Sequence, residues 1–151
     1  MNLLSRKWTA ILLIAVPFWA NAQKGIELKD PSGKIQLNVM LGNTVTYSVS
    51  HGEDVIIGTS PISMTLTDGT VFGKEPRLKK KKYRTENQMI YPPIYRKQSI
   101  KDHFNELTLE FKGGYSLVFR AYEDGVAYRF ISDLKKPFMV ESEQAVFNLP
   151  N

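Results

Sequence analysis

The stretch from His103 to Ser132 constrains the fold more than any other. Leu107, Leu109 and Phe111 alternate with Thr108 and Glu110, and Tyr115, Leu117, Phe119 and Ala121 continue the alternation after Gly113-Gly114. A period of two is the side-chain period of a strand, so one face of each run is apolar and the other polar. Two consecutive glycines accept positive φ, as a tight hairpin turn requires. Asp124-Gly125 gives a second turn signal ahead of Tyr128 and Phe130. These features predict a three-stranded antiparallel meander, one half of a β-sandwich, with no catalytic machinery inside it.

The rest of the chain repeats the theme. Ile35, Leu37, Val39 and Leu41 alternate, as do Val45, Tyr47 and Val49, and then Ile62, Met64 and Leu66. Asp30-Pro31-Ser32-Gly33, Gly42-Asn43, His51 to Asp54 and Asp68-Gly69 separate the runs. Strands spaced by turn signals about every ten residues are the mark of an all-β sandwich or barrel. No window sustains a 3.6-residue period with caps, so no helix is expected in the body of the chain.

Residues 1–22 stand apart. Arg6 and Lys7 precede a nearly uninterrupted apolar run from Trp8 to Trp19, and Ala20-Asn21-Ala22 is a small-x-small cleavage sequence. This predicts a secretory signal peptide, removed before Gln23, because a membrane span needs about 20 apolar residues. A secreted or periplasmic location follows, with no membrane attachment after cleavage. Cleavage removes both tryptophans and lowers the formal charge from +5 to +3. With no cysteine in the chain, disulfides and thiolate metal sites are excluded and stability rests on burial.

Residues with chemical potential are few. Lys74, Arg77, Lys79, Lys80, Lys81, Lys82 and Arg84 crowd around Pro76. Such a run reads as a solvated loop or edge strand, and nucleic acid is not an expected partner. Met89 to Arg96 contains Tyr91-Pro92-Pro93 and Tyr95, and its prolines mark an ordered excursion between strands. His51 and His103 lack ligand spacing and read as structural or solvated. Glu106 and Glu110 lie about 13 Å apart on one strand face, beyond the separation of a glycosidase carboxylate pair, and read as solvent-facing. Glu141 and Glu143, about 7 Å apart, are the remaining candidate pair. There is no phosphate-binding glycine loop and no nucleophile elbow. No catalytic residue and no metal ligand is assigned.

The run from Arg120 through Tyr122-Glu123-Asp124-Gly125 to Tyr128-Arg129-Phe130 resembles a signature of the N-terminal β-sandwich domain of certain α-glucosidases, found in glycoside hydrolase families 31 and 97. Two flanks favour family 97. His103-Phe104-Asn105-Glu106-Leu107 is similar to that family's aromatic-Asn-Glu-Leu strand, and Phe138 to Pro150 to its Glu-x-x-x-Phe-x-Pro-like segment. Asp30 to Lys34 resembles its first hairpin. The likeness covers about residues 24–150.

The resemblance implies an antiparallel super-sandwich of the galactose-mutarotase-like type. It implies an accessory, carbohydrate-associated domain of an α-glycoside hydrolase, acting on α-glucosides or α-galactosides with calcium. In the intact family the catalytic carboxylates and most calcium ligands belong to a (β/α)8 barrel. No cofactor is therefore expected on residues 23–151, and no activity of these residues alone. The alternative is a stand-alone structural or sugar-binding β-sandwich module. Tyr91 and Tyr95 are the candidate sugar-stacking residues, held in a loop by prolines. The family's sandwich extends further than this sequence, so an incomplete sandwich is expected, with the Leu117/Phe119 or the Tyr128/Phe130 face uncovered and the isolated chain unable to fold well.

Overall fold

The computed structural model describes residues 25–93 and 98–150. The predicted signal peptide and Tyr95 lie outside these residues. The described residues form ten strands: β1 (Ile26–Lys29), β2 (Ile35–Leu41), β3 (Val45–His51), β4 (Asp54–Leu66), β5 (Val71–Phe72), β6 (Leu78–Ile90), β7 (Ile100–Phe111), β8 (Tyr115–Tyr122), β9 (Gly125–Ser132) and β10 (Val140–Ala145). All pairings are antiparallel. One sheet has the order β1-β2-β3-β4-β10 with β5 added on β4, and the other has the order β6-β7-β8-β9. The all-β antiparallel sandwich expected from the alternation is what the chain builds, and the meander is β7-β8-β9.

Local chemistry explains each corner. Gly113 and Gly114 adopt φ of 101° and 75°, so the β7–β8 turn uses the freedom that a side chain would forbid. The β8–β9 turn differs from expectation. Tyr122 pairs with Gly125, so the turn residues are Glu123 and Asp124, and Gly125 opens the strand without positive φ. At the β1–β2 corner the Asp30 carboxylate accepts bonds from the Ser32 hydroxyl, the Ser32 amide at 2.8 Å and the Ile35 amide at 2.7 Å. This buried carboxylate satisfies the turn's amides as an Asx-type staple. Burial alone would raise its pKa, but these bonds outweigh it and hold the group below the ordinary value.

The core lies between the sheets. Leu37, Val39, Val45, Tyr47 and Ile62 from the first sheet meet Leu107, Leu109, Leu117, Phe119 and Ala121 from the second, all buried. Tyr115 stacks on Phe72 at 4.5 Å and on Phe111 at 4.9 Å, so a pile of three rings bridges the sheets. Of the two faces expected to be candidates for exposure, that of Leu117 and Phe119 is buried, because β2 lies across β8. Tyr128 and Phe130 are half-buried.

The sheets are offset. β1 lies against β7 and β2 against β8, while Tyr47 of β3 meets Tyr128 of β9 at 6.0 Å. β4 and β10 therefore project past β9, the last strand of the second sheet. The segment after β10 folds back over this overhang. Tyr47 donates its hydroxyl to the Val146 carbonyl at 3.1 Å, Gly58 donates its amide to the Asn148 carbonyl at 2.7 Å, and the Asn148 amide donates to Ser60 Oγ at 3.0 Å.

Candidate functional site

Tyr91 follows the last residue of β6 and is 72% exposed, with Pro92 and Pro93 next to it. An exposed ring held just ahead of two prolines presents a face for stacking. The described residues do not include its proposed companion, Tyr95. The expected solvated character of the basic run holds, since β6 is an edge strand along which nearly every residue is exposed. Lys82 pairs with Glu110 across to β7.

The other carboxylates are scattered. Glu141 and Glu143 sit on exposed β10, and a register shift between Val140 and Ser142 takes Glu141 out of the ladder with β4. Glu143 Oε1 lies 3.5 Å from the Tyr128 hydroxyl. Burial, then the nearby Glu143 charge, pushes the Tyr128 phenol up to about 12. His51 is exposed at the end of β3, and His103 Nδ1 lies 3.5 Å from Glu123 Oε1. Among the described residues no group of three or more His, Cys, Asp or Glu could hold a metal ion.

One cluster was not anticipated. Glu106 is only 8% exposed, where the sequence suggested a solvent-facing carboxylate. Arg84 of β6 and Arg120 of β8 stand opposite it in the ladders and claim both of its oxygens. Arg84 donates Nε to Oε1 and Nη2 to Oε2, each at 3.1 Å, and Arg120 donates Nε to Oε2 at 2.8 Å. The ring of Phe104, almost wholly buried on this outer face, lies under both guanidiniums, at 4.2 Å from Arg120 and 5.5 Å from Arg84. Burial opposes ionisation of Glu106, but the two arginines outweigh it and keep its pKa below the ordinary value. The hairpin could have announced this pair: counting outward from Phe111 opposite Tyr115 places Glu106 opposite Arg120.

Next to the cluster lies a recess of about 140 Å³ lined by Val118, Arg120, Tyr122, Ala127, Tyr128 and Arg129. Its lining holds two arginines and two tyrosines and neither a carboxylate nor a histidine.

Comparison with known proteins fixes the lineage. Residues 28–151 match the family model described as glycosyl-hydrolase 97 N-terminal. The chain belongs to the glycosyl-hydrolase 97 N-terminal family. A retaining alpha-galactosidase of Bacteroides thetaiotaomicron strain VPI-5482 is 37% identical over 147 residues, 97% of this chain and 22% of that protein. A probable retaining alpha-galactosidase of Streptomyces bingchenggensis strain BCW-1 is 27% identical over 80% of this chain and 19% of its own length. The chain thus spans about a fifth of the length of these relatives. A glycoside hydrolase family 97 enzyme from Pseudoalteromonas sp. strain K8, solved in complex with panose, superposes with a TM-score of 0.74 at 23% identity, covering 83% of this chain and 20% of that one. That likeness establishes the fold. As a member of the family 97 N-terminal group, the chain corresponds to an accessory N-terminal domain of such enzymes.

Proposed function

We propose that this domain serves a secreted or periplasmic α-glycoside hydrolase by helping to shape the sugar site, and that glycosidase activity does not reside in residues 25–150. The family match over residues 28–151 carries this reading. Two of the relatives named above carry the name retaining alpha-galactosidase, one of them as probable, which favours an α-galactoside over an α-glucoside as the sugar. The scattered carboxylates support the second part, because hydrolysis needs two carboxyl groups flanking one bond. Tyr91, with Tyr95, is the proposed stacking pair, and the exposure of Tyr91 supports it.

Calorimetric titration with melibiose and maltose tests the reading. Millimolar binding, tighter for melibiose and lost in Tyr91→Ala and Tyr95→Ala, is the expected result. Absence of heat with both sugars rejects sugar binding by this domain. An assay on nitrophenyl α-galactoside with calcium should show no turnover; turnover abolished by Glu141→Gln would reverse the second part.

A further inference from the structure

We propose that the recess between Arg120 and Arg129 on the outer face of β8 and β9 binds the carboxylate of a sugar acid. The site differs from the Tyr91 corner in place and chemistry. Only the choice of a sugar as carrier of the carboxylate rests on the carbohydrate reading above.

The geometry supplies a prepared donor. Arg120 is fixed at Nε by Glu106 at 2.8 Å and from below by the Phe104 ring at 4.2 Å. Its Nη1 lies 3.5 Å from the Tyr122 hydroxyl, a long contact, and its Nη2 has no partner among the described residues. Arg129 makes no ion pair among the described residues. It stands opposite Val118 in the ladder, while Arg120 stands opposite Ala127, so the two arginines are diagonal neighbours on one face. Diagonal positions lie about 7–8 Å apart at the backbone, within reach of long side chains. The small Ala127 side chain leaves the space between them open.

The charge balance favours an anion. Glu106 is already shared between two arginines, so Arg129 adds a cation that this carboxylate does not neutralise. A guanidinium is protonated at every ordinary pH, and its planar fork matches a carboxylate. Holding Arg120 in place beforehand lowers the ordering cost of binding. Size then limits the ligand. Pockets that enclose whole small molecules run to roughly 300–1,000 Å³, so a recess of about 140 Å³ takes the charged end and leaves the rest of the sugar outside.

The test is a titration of the 15N-labelled full chain, at neutral pH and low salt, with galacturonate, galactose and a tetraglutamate peptide in separate arms. Galacturonate should shift the Val118 and Ala127 amides and the arginine Nε–H signals saturably. Galactose should leave them in place. Arg129→Ala, an exposed change that leaves Glu106 paired, should weaken the response at least tenfold with a dispersed spectrum, and Arg129→Lys should restore part of it. No shift at these groups up to tens of millimolar, an unchanged affinity in Arg129→Ala, or an equal response to galactose overturns the site. Tighter binding of the peptide than of galacturonate at the same groups overturns the sugar acid as ligand. Failure here leaves melibiose binding at Tyr91 untouched, so the two readings fail separately.

Discussion

The backbone amide of Gly73 donates to the hydroxyl of Tyr115 at 3.1 Å, joining the segment after β5 to the first residue of β8 and so one sheet to the other. The contact is buried, and it anchors the central ring of the three-ring pile. Tyr115→Phe keeps the ring and removes the acceptor. The stranded amide should cost about 1–3 kcal/mol, read as a lower midpoint in urea with an unchanged slope.

Gly73 itself tolerates no side chain. Its φ is +90°, and a Cβ would lie 2.7 Å from the Ile62 carbonyl oxygen. Gly73→Ala combines backbone strain with a collision against backbone that cannot swing away, so a loss above about 2 kcal/mol is expected. Gly33, also at positive φ but with open space around it, should suffer from the strain alone. Chemical denaturation of the two variants side by side checks the order.

Acid should loosen the outer-face cluster. The folded-state pKa of Glu106 is depressed, so its contribution is fully present above the unfolded value of about 4.3 and is lost as pH falls through the folded one. Asp30 acts in the same direction from an unfolded value of about 3.9. Melting temperature should therefore fall steeply below about pH 4, and Glu106→Gln should flatten that fall while lowering stability at neutral pH.

Alkali should act through Tyr128. Its folded pKa of about 12 lies above the ordinary phenol value of 10.0, so its contribution is present below about pH 10 and is lost as pH rises through 12. Burial raises Tyr47, Tyr83 and Tyr115 as well, so absorbance of phenolate during an alkaline titration should show a late step of several tyrosines, and Tyr128→Phe should diminish that step by one.

The basic edge should guard against self-association. Among the described residues β6, a 13-residue strand, pairs only with β7 and so forms an edge, and its lysines stand along it. Lysines on an edge discourage pairing with another chain. Lys81→Ile should raise concentration-dependent light scattering without lowering the melting temperature.

The sequence disclosed the sheets better than the face between Glu106 and Arg120. Alternation places Leu107, Leu109, Leu117 and Phe119 inward because strand side chains have a period of two, and the core obeys it. The same rule assigned Glu106 to solvent, since period alone sees one strand at a time. The carboxylate is instead covered by arginines from the strands on either side, a property of cross-strand register. Phe104 misleads in the same way: it lies on the polar side of β7, yet two guanidiniums bury it. The offset of the sheets was also hidden, because alternation says which face is covered and not by which strand. Tyr91 was legible as a loop aromatic from its prolines, and its exposure agrees.

The ring pile has a spectroscopic consequence. Trp8 and Trp19 both precede residue 25, so the near-ultraviolet absorbance and emission of residues 25–150 belong to tyrosine and phenylalanine. Tyr115, clasped between Phe72 of one sheet and Phe111 of the other, is a chromophore held in an asymmetric setting. Its circular dichroism band near the tyrosine maximum reports whether the two sheets are docked, while the far-ultraviolet signal reports only whether strands exist. A state that keeps the second signal and loses the first is a pair of separated sheets, visible without any label.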